Sequence, residues 1–258
     1  MNQQINEQGP KRAGPTARTH PNLKGTPMTN PVRVLAVAAH ADDEVLGAGG
    51  TLAEHAAAGH PVAVLILSSS ATSRPGPGSE TVRDHRAACA RKVAELYGAE
   101  LTLGDLPDNA FDTVPRLHIT QTVEQAVREW QPTIVYTHST ADLSHDHQLV
   151  AAATAAATRP QPGTTVRTVL AWEVRSATEW GPERAFRPAW FQALTPVAVA
   201  LRRQALDIYS SELRPWPHTR SLQALDAQLL TRGAQIGVEA AEAFEVIRHV
   251  HHPLGAAQ

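Results

Sequence analysis

Five short segments with strand patterning, at residues 32–39, 62–67, 100–103, 133–137 and 165–174, the first an almost unbroken apolar run, are separated by stretches with helical patterning. Strands that alternate with helices in this way form βαβ units, and these build a parallel sheet with right-handed crossovers. The intervening helices are predicted at residues 43–58, 80–97, 115–130 and 146–158. Gly59 and Pro61 stop the first, and Gly98 caps the second. Residues 68–79 are rich in Ser, Gly and Pro and read as a loop, as does 106–112. Two more helices are predicted at 198–212 and 221–247, where apolar residues recur roughly in helical step and would lean on the sheet.

The first 31 residues hold Pro10, Pro15, Pro21, Pro27 and Pro31 and few bulky apolar side chains, so they are expected to be a flexible tail. Met28 is an alternative natural start. Residues 32–258 are expected to form a single domain. The formal net charge of −2 gives no electrostatic footprint for nucleic acid, and no apolar stretch approaches membrane-spanning length. Cys89 is the only cysteine, which rules out an intrachain disulfide and fits a cytoplasmic protein. A homo-oligomer is left open.

Chemistry is concentrated after the first strand. The apolar run ends in His40, Asp42, Asp43 and Glu44, at the carboxyl end of a parallel strand, where open α/β sheets bind their ligands. If the helix starts near Asp42, His40 and Asp43 face one opening, and an imidazole nitrogen with a carboxylate oxygen suits zinc. A third ligand is expected from Asp142-Leu-Ser-His-Asp-His147, after the fourth strand. Three protein ligands and a water form the usual catalytic zinc site. Asp42 is then placed to take a proton from that water and return it to a departing amine. His145 is a local candidate for stabilising the oxyanion. The acids also suit a helix N-terminus on electrostatic grounds alone, and residues 145–147 also read as a solvated loop. Gly47, Gly49 and Gly50 do not have the spacing of a dinucleotide-binding loop.

Ala39-His-Ala-Asp-Asp-Glu44 and Asp146-His147 resemble the two signatures of the LmbE-like, or PIG-L, family of zinc-dependent N-deacetylases. The resemblance continues through Leu106-Pro-Asp-Asn-Ala-Phe-Asp112, Glu173-Val-Arg-Ser-Ala-Thr-Glu-Trp180, Tyr209-Ser-Ser-Glu212, Pro217-His-Thr-Arg-Ser221 and Ala240-Ala-Glu-Ala-Phe244. It implies a Rossmann-like three-layer α/β sandwich with a mostly parallel sheet and additional C-terminal helices. It also implies removal of an acetyl group from an N-acetylated amino sugar or glycoconjugate. The alternative is an amidase acting on a larger thiol or antibiotic-type conjugate. By the same resemblance His40, Asp43 and His147 are the ligands of zinc or another divalent transition metal, Asp42 is the general base, and Asp146 is an active-site acid. Ala41 stands where the family usually has proline. Ser144 stands where many members have an oxyanion-assisting histidine, so that role passes to His145, His218 or Arg220.

Other candidates lie in the loops. One of Arg74, Arg83 and Arg86 would bind a substrate hydroxyl or phosphate, Arg83 being carried as the substrate contact. Asp108 and Asn109 would bond sugar hydroxyls or simply form a turn. Glu173, Ser176 and Glu179 would line the pocket, while Trp180, Trp190 and Cys89 are expected to pack.

Overall fold

The computed structural model describes Met1, residues 31–68 and residues 79–251, with side chains in the last stretch from residue 84 onward. The tail expected at residues 1–31 falls almost wholly outside the described residues, as do most of the loop expected after the second strand and Arg74 within it. Seven strands form one sheet: β1 (Val34–His40), β2 (Val62–Ser68), β3 (Glu100–Leu103), β4 (Ile134–His138), β5 (Thr168–Trp172), β6 (Trp190–Ala193) and β7 (Ala241–His249). Six helices accompany them: α1 (Asp43–Ala57), α2 (Ser79–Tyr97), α3 (Arg116–Trp130), α4 (His145–Ala157), α5 (Pro196–Ile208) and α6 (Leu222–Ile236).

The sheet order is β3-β2-β1-β4-β5-β7-β6. The first five strands run parallel, and β7 pairs antiparallel with both β5 and β6. β1 therefore lies between β2 and β4, where the strand order reverses. A crevice opens there at the carboxyl ends, as in other doubly wound sheets.

Successive side chains along a strand point to opposite faces, and both faces of this sheet are covered. Val34, Ala36 and Ala38 of β1 pack in one cluster with Leu52 of α1, Val93 of α2 and Leu206 of α5. Leu35, Val37 and Ala39 pack in a second cluster with Ile119 and Val123 of α3 and Val150 of α4. This two-sided burial explains why the first strand reads as an unbroken apolar run.

The glycines after the polar cluster serve packing. A Cβ on Gly47 would lie 2.4 Å from the Trp172 ring, and one on Gly50 would lie 2.5 Å from Leu194. The close approach of α1 to β5 thus requires glycine. Cys89 and Trp190 pack as expected, whereas Trp180 is exposed.

Two C-terminal expectations need correction. The helix predicted at 221–247 ends at Ile236, where Gly237 takes the left-handed conformation (φ 76°) and closes it. The remainder of that stretch enters β7. β6, not anticipated, completes the antiparallel edge. Among the described residues, no helix is long and apolar enough to cross a membrane.

Candidate metal centre

β1 delivers His40 at its last residue, and α1 begins at Asp43. Between them Asp42 has φ 117°, a strained backbone value for a residue with a side chain. On the neighbouring strand, β4 ends at His138, and the loop after it leads into α4, whose first turn carries Asp146 and His147. Ser144 caps α4, its Oγ accepting from the His147 N–H. The position where the resemblance led to a histidine being expected thus holds a helix cap here.

Three donors meet in the crevice. His40 Nδ1 and His147 Nε2 each lie 3.3 Å from Asp43 Oδ2. The other nitrogen of each ring faces a carboxylate. His40 Nε2 is 2.9 Å from Asp146 Oδ2, and His147 Nδ1 is 3.1 Å from Asp142 Oδ2. Asp146 is itself fixed, because the backbone N–H groups of Asn109 and Phe111 donate to it. A carboxylate beside each outer nitrogen, hydrogen-bonded in the case of His40, favours a proton there and turns the inner lone pairs toward the shared oxygen. Two imidazoles and one carboxylate, two of the three buried and His40 partly open to the cavity, converge in a way that fits a divalent transition metal such as zinc.

The electrostatics agree with a site built for a cation. Burial opposes protonation of His40, but Asp146 and Asp43 outweigh it and raise its pKa to about 9. Burial likewise opposes protonation of His147, yet Asp43 and Asp142 raise it to about 10. Asp43 is held well below the usual carboxylate range: burial alone would raise it, and the histidines outweigh burial. The carboxylates around the two rings therefore set up a negative field where the donors meet, which a bound divalent cation would neutralise in place of the ring protons.

Asp42 is 4% exposed and stands beside the triad. Arg220 Nη1 donates to its Oδ2 at 2.9 Å, while Arg220 Nε donates to Ser176 Oγ at 2.6 Å. Burial raises the Asp42 pKa to about 6, with Arg220 opposing. A carboxyl tuned toward neutrality suits proton transfer in both directions. Beneath it, Glu44 accepts from the Tyr209 hydroxyl at 2.7 Å and from the Asp42 N–H at 3.1 Å.

A cavity of about 560 Å³ gathers most of the expected residues: His40, Asp42, Asp43, Asp108, Asn109, His145, His147, Ser176 and Arg220. Asp146 stands behind His40 rather than in the lining. His145 is an exposed residue of the lining. His218 is not in the lining: it is exposed, and its Nδ1 accepts from the Arg220 N–H. It shapes the turn that carries Arg220. Glu173 lies in a different cavity, paired with Arg232, and the Glu179 carboxylate accepts from the Ser176 and Ala177 N–H groups. Arg83 lies on α2, with its side chain outside the described residues.

Of the three arginines weighed, Arg86 reaches the cavity, bonded to Glu212 at 3.0 and 3.2 Å and 3.5 Å from Asp108. Asp108 is also 3.2 Å from His40 Nε2, so it braces the site from within. Glu212 and His138 had no role assigned from sequence, and Asp142, part of the segment expected to supply a third ligand, instead faces the outer nitrogen of His147. His138 is fully buried, stacks on His147 at 4.0 Å between ring centroids, and accepts from the Ala39 N–H. Burial lowers its pKa to about 3, so it is a neutral wall. A histidine ending the strand beside β1 was the available signal.

Residues 35–158 match the family described as PIG-L: GlcNAc-PI de-N-acetylase. A 4-oxalmesaconate hydratase from Pseudomonas putida is 35% identical over 149 residues, covering 53% of this chain and 54% of that protein. The chain thus spans about half the length of that curated relative. The crystal structure of the 4-carboxy-2-hydroxymuconate hydratase from Pseudomonas putida has a TM-score of 0.70 at 24% identity, with 86% of this chain and 100% of that chain covered. The N,N′-diacetylchitobiose deacetylase from Pyrococcus horikoshii has a TM-score of 0.68 at 16% identity, with 85% of each chain covered. At such identities these likenesses concern the fold, and that fold carries deacetylases and hydratases alike.

Proposed function

This chain carries a PIG-L (LmbE-like) domain over residues 35–158, and on that premise we propose that it is a zinc-dependent hydrolase removing the acetyl group of an N-acetylated amino sugar or glycoconjugate. The observation that carries this reading is the convergence of His40 Nδ1, Asp43 Oδ2 and His147 Nε2 beside the buried Asp42 carboxyl. A divalent ion bound there supplies Lewis acidity, polarising the amide carbonyl and lowering the pKa of a water. Asp42 takes the proton of the attacking water and gives it to the departing amine. Arg220 holds Asp42 in place for both transfers. Asp142 and Asp146 fix the two imidazoles, and His138 keeps water from the back of His147.

Charge supports an amide over a carboxylated substrate. Asp42, Asp43, Asp108 and Glu212 line the cavity, and its two arginines, Arg86 and Arg220, are both in ion pairs with members of this group. Even with a divalent ion present, no surplus positive charge is left for a polycarboxylate. A neutral acetamide enters without electrostatic penalty, and an amine product is well accommodated.

The second reading, addition of water to an unsaturated carboxylate, is favoured by the 35% identity to a hydratase. One assay separates the two. Zinc-loaded protein is incubated with a panel of N-acetylated sugars, sugar nucleotides and glycosides, and with unsaturated carboxylates whose absorbance is lost on hydration. The deacetylase reading expects acetate and free amine in equal amounts; hydration without acetate release overturns it. Asp42→Asn is expected to keep its metal and lose about 10²–10⁴-fold in turnover. His147→Ala is expected to lose metal by elemental analysis.

A further inference from the structure

Breaking an amide calls for a hydrogen-bond donor where negative charge gathers. The water oxygen bonds to the amide carbon, the carbonyl electron pair moves onto its oxygen, and the water's proton goes to Asp42. On collapse that pair returns, the C–N bond breaks, and the nitrogen takes the proton from Asp42. We propose that Arg220 is a catalytic residue whose Nη2 group donates to the oxygen that becomes negative. The identity of the reaction rests on the hydrolase reading above, whereas the open donor is a property of the cavity itself.

The other candidates are engaged or misplaced. Ser144 Oγ caps α4, and His218 lies outside the lining. Arg86 commits Nε and Nη2 to Glu212, and its Nη1 lies 3.5 Å from Asp108. His145 lines the cavity, but it is exposed at the first residue of α4. Arg220 differs from all of these. Its Nη1 donates to Asp42 at 2.9 Å, and its Nε donates to Ser176 Oγ at 2.6 Å and lies 3.4 Å from the Arg175 carbonyl. Nη2 has no hydrogen-bond partner among the described residues, and it is not one of the sealed polar atoms that lack one, such as Arg202 Nη1. The side chain is 21% exposed and lines the metal cavity, so this donor is open to a ligand there.

Two features suit that donor to catalysis. It is held in place: Asp42 and Ser176 fix the guanidinium, and the Arg220 N–H donates to His218 Nδ1 at 3.0 Å, which secures the turn. A fixed donor needs no reorganisation when charge appears beside it. It also stands where the charge moves. Burial opposes the guanidinium charge, and Asp42, Asp43 and Glu212 outweigh burial, so the cation acts on both the proton acceptor and a metal ligand. The attack carries one negative charge from the Asp42 carboxylate to the carbonyl oxygen. Arg220 answers that charge at both places, which favours the transition state over the bound substrate.

The test titrates methylphosphonate calorimetrically into the zinc-loaded full chain. This tetrahedral anion carries a methyl group, as the acetyl carbon under attack does, and its binding does not depend on which amide is cleaved. Saturable binding is expected. Arg220→Met is expected to weaken it about 10–100-fold, the worth of one charge-assisted hydrogen bond. Arg220→Lys keeps the charge and a contact for Asp42 but has no second amino group, so it is expected to lose about tenfold. It also keeps the test valid should Arg220→Met fail to fold. Zinc content by elemental analysis is expected to be unchanged in both, and His145→Gln is expected to bind as the wild type does. Absence of binding with zinc in place overturns the proposal, as does wild-type affinity in Arg220→Lys or a larger loss in His145→Gln than in Arg220→Met. On any acetamide that is turned over, kcat/KM is expected to fall with methylphosphonate affinity across the variants. A fall in kcat/KM with affinity unchanged would make Arg220 a positioning residue for Asp42 alone and overturns the proposal. If no acetamide is turned over while the phosphonate series behaves as expected, the hydrolase reading fails and the Arg220 donor stands.

Discussion

Asp42 is the residue of this site whose backbone lies furthest from an ordinary conformation, with Asn109 at φ 55° and Ser176 at φ 74° beside it in the lining. Its backbone sits at φ 117°, its carboxyl is buried, and its partner Arg220 lies 178 positions away in sequence. Strained conformations of this kind cost about 1–3 kcal/mol and persist where function holds them. Glycine relieves the strain and removes a buried ionisable group. Arg220 keeps contact with solvent in the cavity, its side chain being 21% exposed, so losing its partner costs little. Asp42→Gly is therefore expected to gain about 1 kcal/mol of stability while turnover disappears. Calorimetric melting read beside an acetate assay checks both; a less stable Asp42→Gly would show that the carboxyl serves the fold. The carboxylate itself was legible in the sequence, because three acids follow a buried strand. Its strain and its clamp were not, since the arginine comes from a turn between α5 and α6 that no local pattern connects to β1.

At the level of elements, α1 depends on a residue near the other end of the chain. The helix is interrupted at Ala48, which has φ −146°. Two N–H groups just past the interruption, those of Gly50 and Thr51, donate to the Glu242 carboxylate of β7 at 2.9 and 2.7 Å. Glu242 also lies 3.1 Å from Arg202 Nε of α5, and both side chains are buried. One carboxylate therefore joins α1, α5 and β7. Its removal leaves a buried guanidinium without its counter-ion and two backbone donors without an acceptor, so Glu242→Ala is expected to cost about 3–5 kcal/mol. Urea unfolding of the variant measures this, and a loss under 1 kcal/mol would mean that water replaces the carboxylate. This arrangement also shows where sequence reading stopped. The parallel half was legible because β1, β2, β4 and β5, buried on both faces, are largely apolar and end in polar loops, while the half-exposed β3 is marked by its place between α2 and the 106–112 loop. The antiparallel edge was not, because residues 240–244, Ala-Ala-Glu-Ala-Phe, carry the composition of a helix. Their strand conformation comes from pairing with β5 and β6, a tertiary effect that overrides local preference.

Two buried glutamates, Glu44 of α1 and Glu245 of β7, give the whole molecule a pH optimum. For Glu245, burial alone would raise the carboxyl, but Arg184, the Ser139 hydroxyl and the Arg187 N–H outweigh it and hold the pKa below 4.5. A depressed folded pKa means that this contribution is complete above 4.5 and is lost as pH falls through the folded value. Glu44 has the opposite sign. Burial pushes its pKa up to about 8, against the opposing hydrogen bond from Tyr209. The folded state then binds this proton more tightly than the unfolded chain does. Its contribution is complete below 4.5 and is lost as pH rises through about 8. The two together place maximal stability of the metal-free protein on the acid side of neutrality, with a separate cause for each limb. Glu44→Gln keeps a neutral side chain of the same shape, so it is expected to flatten the alkaline limb and leave the acid limb unchanged. Glu245→Gln is expected to do the reverse. Thermal midpoints from about pH 3 to about pH 9 decide this through the slopes, which report the proton difference between folded and unfolded states. Two variant curves parallel to the wild type would show that neither glutamate titrates with folding, and the stability profile would then have to come from the histidines and acids of the metal centre.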